Sequence, residues 1–468
     1  MEQIRQLLDL INSAVETLDK TCTANGTKVP SLNESFHPTS EAFREDPAAA
    51  QATILIGSAA LQLAAIVLPP QVSLYNIIGG LWNSAAIRTA LESSVTEVLR
   101  EAGPEGLHVD AIEEKTGIDA QKMARCLRTL TVHHVYREVT PDVFTNTRLS
   151  SMLDTSKPSQ DIIADPDSKH DNNTSLPSLA GHHLDEMFKS SAYLWETLSD
   201  PQTGKSDEPG HAAIGKALSN GKGFFDYLAQ PDQKYRQKRF DMAMRATQSF
   251  FSQTIFLQAY DWKSLPNDAL VVDVGGGVGN VSMVLAKEHP NLNIIIQDQA
   301  YVIENGTKFW EAELPDALNS GRVKFEVHDF FKPQPQKAVN VFLMKHIIHD
   351  WSDEYSAKIL KQLRDSATAD TKLICLEAII PYACSVSNAI DHIAGAAAPE
   401  APEPLPAHWG LVSSIYYYLD MTMLVANNAK ERTIGQFEKL FKAAGWKITT
   451  VRRASGNVTL AAIEAVPI

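Results

Sequence analysis

At 468 residues and 51.4 kDa the chain is too long for one small core, and at roughly 100–200 residues per domain it implies two or three domains. With 44% hydrophobic and 21% charged residues, disorder throughout is excluded. Lys and Arg number 42 against 56 Asp and Glu, a net charge of −14, which argues against a nucleic-acid partner, since such binding neutralises phosphates with Lys and Arg.

The N-terminal MEQIRQLLDLINSAVETLD reads as an amphipathic helix carrying acids. A secretory signal needs a basic start and a longer apolar run, so a cytoplasmic protein is expected. The longest apolar stretch, Ala52–Leu68, is interrupted by Gln62 and closed by Pro69-Pro70. It is shorter than the roughly 20 apolar residues of a membrane span, so no membrane partner is expected. The stretch reads instead as a buried helix at a subunit interface. Cys22, Cys126, Cys375 and Cys384 form no CxxC pair, which disfavours a disulfide scaffold or a zinc knuckle.

Residues 107–138 have the cadence of a helix, a turn at Gly117 and a second helix, and 139–147 follow like a short β-wing. This winged-helix pattern can read DNA, and Lys122, Arg125 and Arg128 share one face. Residues 105–150 nevertheless hold seven acids against six bases, which favours an architectural or dimerisation unit. Residues 153–176 read as an exposed linker, helices resume from Leu184 to about Tyr260 with a break at 201–210, and the Pro/Ala-rich stretch 393–407 reads as a surface insertion.

From Ala269 strands and helices alternate. Apolar strands are expected at 269–275, 292–298, 323–329, 340–346 and 371–379, with helices at 280–289 and 352–366. Thr433 and Gln436 form a capping box for a helix ending near Gly445, and two last strands, 447–454 and 458–466, join through Ser455-Gly456-Asn457. The expected class is α/β: a Rossmann-like doubly wound sheet with an antiparallel C-terminal hairpin, behind a mainly helical winged-helix domain.

The first strand runs into Asp273-Val-Gly275-Gly-Gly277-Val-Gly279. Glycines let a ligand approach backbone where a Cβ would collide. Asn280 stands where a dinucleotide fingerprint needs its third glycine. The D-x-G-x-G-x-G spacing suits S-adenosylmethionine (SAM), whose ammonium group wants a carboxylate nearby. Asp298, at the second strand end, can accept from ribose hydroxyls, and Asp329 with Phe330 at the third can hold an adenine. The fourth strand ends in Lys345-His-Ile-Ile-His349-Asp350. A histidine at that edge can remove a proton from a hydroxyl, with Glu377 and Glu431 converging on it. His346 and His349, three residues apart, can share a metal, but no Cys or further His lies at ligand spacing, so none is expected.

In combination, DVGGGVG, the Asp298 strand end, KHIIHDWSD, LEAI and AKERT resemble small-molecule O-methyltransferases of the caffeic acid O-methyltransferase type, and DEMFKSSAYLWETL (185–198) and YDW (260–262) are similar to fungal phenol and polyketide members. The resemblance implies a SAM-binding class I fold, S-adenosylhomocysteine as product and a homodimer. It makes His349 the general base between Glu377 and Glu431, and puts Asp350 near the acceptor ring. It places Asp273, Gly275, Gly277, Asp298, Asp329, Phe330 and Lys345 on the cofactor, and Phe240 and Met244 on a small phenolic acceptor. The implied domains are 1–165 for dimerisation, 166–235 for connecting helices and an acceptor lid, and 236–468 for catalysis. Thr247, where plant members often carry His, and the 393–407 insertion depart from the plant pattern. Methylation of N or C on an aromatic, and a non-enzymatic winged-helix regulator, are the alternatives.

Overall fold

The computed structural model describes residues 1–171, 176–248, 254–385, 390–453 and 460–468. The chain divides into two compact units, Met1–Gly204 with Gly210–Phe250, and Lys205–Pro209 with Phe251–Ile468.

The first unit is mainly helical. In chain order it holds α1 (Glu2–Asn25), α2 (Pro47–Val67), α3 (Pro70–Ile78), α4 (Gly80–Glu92), α5 (Val95–Ala102), β1 (Leu107–His108), α6 (Val109–Thr116), α7 (Ala120–Thr131), β2 (Tyr136–Thr140) and β3 (Val143–Asn146). There follow α8 (Ser159–Ala164), α9 (Leu176–His182), α10 (Phe188–Ser191), α11 (Leu194–Ser199), α12 (Phe224–Leu228) and α13 (Lys234–Gln248). The winged-helix expectation holds. Gly117 takes a left-handed φ of 71° that ends α6, and the Asp119 carboxylate accepts from Lys122 N at 3.0 Å to start α7. The three strands pair antiparallel in the order β1-β3-β2. Arg128, one of the three bases on the shared face, donates to Glu138 at 2.6 Å and to Asp142 at 2.8 Å, so the wing neutralises it.

Two expectations about the apolar stretch are corrected. The helix α2 is 21 residues long and, by length and composition, is the one helix among the described residues able to cross a membrane. Nor is it buried within the chain: only 17% of its most apolar window is covered. Ala49, Ala52 and Ala59 are buried, while Leu61, Ile66 and Val67 are exposed, as are Val72, Leu74, Tyr75, Ile77 and Ile78 of α3. No charged residue lies between Asp46 and Arg88. Apolarity alone does not say what covers a helix, which is why length and composition misled here.

The second unit contains α14 (Thr254–Gln258), β4 (Leu270–Val274), α15 (Asn280–Glu288), β5 (Asn293–Asp298), α16 (Ala300–Glu313), α17 (Pro315–Asn319), β6 (Val323–Val327), β7 (Val341–Lys345), α18 (Asp353–Ser366), β8 (Lys372–Ala378), α19 (Ser414–Asn427), α20 (Ile434–Ala443), β9 (Trp446–Arg453) and β10 (Leu460–Pro467). The strand order is β6-β5-β4-β7-β8-β10-β9, parallel except for β10, which runs antiparallel to both β8 and β9. The expected hairpin is therefore present, and its turn, Ser455-Gly456-Asn457, lies outside the described residues. A mostly parallel sheet covered on both faces needs apolar residues on both sides of each strand, which explains the near-continuous apolar runs. Val272, Phe342 and Cys375 pack with Phe437 and Phe441 of α20 on one face, while Val271, Leu343 and Ile374 pack with Leu285 of α15 and Trp262 on the other. Each such fully buried side chain contributes about 1.5–3 kcal/mol.

Elements α16, α17 and α19 were not anticipated. The Pro/Ala-rich stretch is only partly at the surface: Ile393, Ala396 and Leu405 are buried, and Val451 N of β9 donates to Ala394 O at 2.8 Å. The division near residue 250, instead of at 236, follows from α13, which packs along α9 and whose buried Arg239 donates to Asp185 at 2.8 Å and Glu186 at 2.7 Å.

Candidate active site

The chain runs β4, β5, β6 outward on one side and then returns to place β7 beside β4 on the other. At such a reversal the carboxyl ends of the two central strands leave a crevice, the usual ligand position in open α/β sheets. The glycine turn follows β4 and the KHIIHD segment follows β7, so both motifs meet there.

Gly275 and Gly277 adopt φ of 68° and 59°, a region that L side chains rarely enter. A Cβ on Gly275 would stand 2.6 Å from Ile347 Cδ1, whereas one on Gly277 would meet nothing within 4 Å. The turn is thus tight against the segment that follows β7 on one side and open on the other. Asp273 lies beneath it, 2% exposed, accepting from Ser282 Oγ at 2.6 Å, and burial pushes its carboxyl up to about 6. Asp298, at the end of β5, accepts from Gly277 N at 2.8 Å and Gln299 N at 2.7 Å, and burial raises its pKa as well. Asp329 is exposed and accepts from Phe331 N at 3.0 Å, while Phe330 packs edge-on against Phe331 and Trp351, with ring centroids 5.0 and 6.0 Å away. Lys345 is buried deeply enough to bring its ammonium down to about 8.

Beyond β7, Ile348–Asp350 form a short 3₁₀ turn. Glu377 of β8 receives both Ile347 N and Ile348 N on Oε1, each at 3.0 Å, and so fixes the start of this turn. His349 Nδ1 is 2.7 Å from Glu431 Oε1, and its Nε2 is 3.7 Å from Asp350 Oδ2. Burial by itself would lower the basicity of this imidazole, but Asp350 and Glu431 outweigh it and hold His349 up at about 10. Burial in turn pushes Glu377 up to about 7 and Asp350 to about 6. The arrangement can hold a proton on Nε2 or take one from a hydroxyl beside it.

His349, Glu377, Glu431 and Asp350, singled out from sequence, therefore converge in one cluster, and His346 joins them with its ring centroid 4.9 Å from that of His349. Phe240 and Met244 belong to the helical unit, where Phe240 packs against His182 and Phe224 at 5.3 and 5.2 Å and Met244 is exposed. Three positioning side chains escaped the sequence reading. Asn427 donates to Asp350 Oδ1 at 3.0 Å, and Asp420 accepts from Glu431 N at 2.9 Å, both from α19. The fully buried Arg432 donates to Ile348 O at 2.7 Å and Trp351 O at 2.8 Å, clamping the turn that carries His349. The available signal for Arg432 was its place in AKERT, beside Glu431.

Comparison with known proteins settles the family. An O-methyltransferase domain model matches residues 195–394, and an O-methyltransferase dimerisation domain model matches 75–156. The chain belongs to the O-methyltransferase family. It is 46% identical to a 4-O-methyltransferase of Phanerochaete chrysosporium across 99% of both chains, and 38% identical to an O-methyltransferase of Armillaria gallica across 96% of this chain and 95% of the other. Among solved structures, LepI in complex with SAM has a TM-score of 0.65 at 19% identity, covering 89% of this chain and 94% of its own. That likeness supports the fold.

Proposed function

We propose that this enzyme methylates a hydroxyl of a small phenolic or aromatic polyketide acceptor using SAM, with His349 as the proton acceptor. The carrying observation is the Glu431–His349 hydrogen bond at 2.7 Å, which engages Nδ1 and leaves Nε2 for the acceptor. A phenol of pKa near 10 is a poor nucleophile at neutral pH until its proton leaves. Because Asp350 and Glu431 hold the imidazole at about 10, Nε2 has to release its own proton before the acceptor's hydroxyl can pass one to it. That transfer regenerates the imidazolium, which the same two carboxylates stabilise, a contribution of about 10²–10⁴ in rate.

The turn after β4 fits the cofactor: the side of Gly277 that a Cβ would fill is open, and the Asp298 carboxylate stands against its N–H. Gly275 and Gly277 would border the methionine portion, Asp298 the ribose, and Asp329 with Phe330 the adenine, with Asp273 and Lys345 supporting the site from beneath. SAM supplies the electrophilic methyl group when bound. Because its sulfonium loses charge in the transfer, the chain has to align the reactants and accept a proton, and no metal is needed. Alignment contributes up to roughly 7–11 kcal/mol of barrier lowering. Phe240 and Met244 are assigned to the acceptor, and a homodimer to the match with the dimerisation domain together with the exposed apolar surface of α2 and α3.

The test is incubation with SAM and a panel of phenols, catechols, phenolic acids and aromatic polyketides, read by mass spectrometry. The panel includes 4-hydroxylated rings because of the name of the Phanerochaete relative. A gain of one methyl group on a hydroxyl establishes the reaction. Absence of both product and cofactor binding overturns it.

A further inference from the structure

Beyond methyl transfer, we propose that His346, His349 and Glu377 form a site for one divalent transition-metal ion of the zinc class. One potential ligand atom from each lies within 4.8 Å of the others. The fold creates this grouping by an unusual backbone step: His346, the first residue after β7, takes a left-handed φ of 51°, which brings its ring beside that of His349. Glu377 enters from the neighbouring strand β8.

Two histidines and one glutamate are a donor set that zinc adopts with three protein ligands and an open fourth position. Imidazole selects zinc, cobalt or nickel over magnesium and calcium, which prefer all-oxygen sites. The hydrogen bonding around the group has the form that metal-bound histidines take. Glu431 holds Nδ1 of His349, orienting Nε2 as the remaining ligand atom, in a carboxylate–imidazole–metal sequence. Glu377 is fully buried; its Oε1 is engaged by two backbone N–H groups, and its Oε2 has no hydrogen-bond partner among the described residues. A buried carboxylate oxygen of this kind costs free energy until a cation or donor reaches it. Bond lengths near 2.0–2.3 Å in a tetrahedral site place ligand atoms about 3.3 Å apart, so the ligand atoms draw together by up to about 1.5 Å on binding. Glu431 and Asp350 supply further negative charge around the ion.

Such an ion occupies Nε2 of His349, so, on the reading that His349 accepts the acceptor's proton, zinc inhibits methyl transfer. The experiment uses the full-length chain without a histidine tag, stripped with chelator and titrated with Co²⁺ and then Zn²⁺ in the absence of SAM and acceptor. One equivalent of Co²⁺ should give the strong visible absorption of four- or five-coordinate cobalt, lost on adding Zn²⁺ and untouched by Mg²⁺. His346→Asn retains a residue that tolerates positive φ and removes one ligand. It should weaken Co²⁺ binding at least tenfold, and whatever methylation rate it has without metal should persist at a Zn²⁺ concentration that stops the unaltered enzyme. Weak octahedral-type absorption only, or undiminished binding in a folded His346→Asn protein, overturns the site. Should that variant not fold, anomalous scattering from zinc-soaked crystals of the unaltered chain decides: a peak between the three side chains supports the proposal, and zinc only elsewhere, for instance at Cys384, overturns it. The cobalt titration contains no methyl acceptor, so its outcome is separate from that of the methyl-transfer assay.

Discussion

Each unit contains a buried cluster of charges, and the two are built in opposite ways. In the helical unit Asp185 receives Arg88, Lys189, Arg236 and Arg239, and Glu186 receives Arg239, so two carboxylates face an excess of cations. Burial works to raise both carboxyls, but Lys189, Arg239 and Arg236 at Asp185, and His182 with Arg239 at Glu186, prevail and hold them below the usual carboxylate range. In the sheet unit the imbalance is reversed: Glu377, Glu431 and Asp350 surround the imidazole of His349, with His346 beside it and Lys345 behind. There burial wins at Glu377 and Asp350, and both rise. Cation excess satisfies carboxylates and locks elements together. Carboxylate excess leaves groups poised to exchange protons near neutrality, as functional sites require.

Two substitutions separate these roles. His349→Gln removes the proton acceptor and should lower turnover by about 10²–10⁴ or more, while calorimetry finds SAM affinity nearly unchanged. A variant retaining most of its activity would show that His349 does not take the proton. Arg239→Met strands Glu186 and part of Asp185 in the interior, so the helical unit should lose about 3–5 kcal/mol in urea unfolding. A loss under 1 kcal/mol would mean that the neighbouring cations replace it.

A smaller effect concerns the cofactor side of the same crevice. Asp298→Ala removes a carboxylate proposed to accept from ribose hydroxyls, and hydrogen bonds to charged groups are worth about 1.5–3 kcal/mol, so SAM affinity should fall roughly 10–100-fold. Acceptor affinity should change far less. Calorimetry showing equal cofactor affinity would remove Asp298 from the site.

What could be read from the sequence was what local pattern encodes. Apolar strands ending in DVGGGVG, in Asp298 and in KHIIHD announce both the sheet and its active edge, because strand ends are where such sheets expose polar groups. Glu377 was legible for the same reason, and Glu431 from its place just before the capped helix at Thr433. The positioning role of Asn427 and Asp420 was not, since α19 is apolar nearly all round and follows a Pro-rich stretch without periodicity. The left-handed backbone that brings His346 beside His349 is invisible in residue type, as histidine is no specific signal for positive φ. The Asp185–Arg239 cluster joins residues 54 apart, a spacing that no helical or strand period reveals. The exposure of α2 depends on what lies outside the chain, and sequence apolarity carries no record of that.

The last prediction uses acid to compare the units. His170 and His183, both in the helical unit, are depressed from 6.5 to about 3 and about 4, chiefly by burial, aided by Arg239 at the first and His182 at the second. Below pH 6.5 the unfolded chain therefore binds protons that the folded unit refuses, and stability falls with pH down to the folded values. The slope is at most about 1.4 kcal/mol per pH unit for each imidazole. Asp185, also depressed, adds a further loss below its unfolded pKa of 3.8. Asp273 beneath the glycine turn has the opposite sign: raised to about 6, it takes up a proton in the folded state first and stabilises the sheet unit as pH falls from 6 toward 3.8. Peptide-resolved hydrogen exchange, corrected for intrinsic rates and compared at pH 7.5 and 5.0, should show α9 and α13 losing protection while β4 and α15 lose less. Equal losses in the two regions would mean that the buried histidines of the helical unit titrate near their ordinary value and that the contrast between the clusters has no bearing on acid stability.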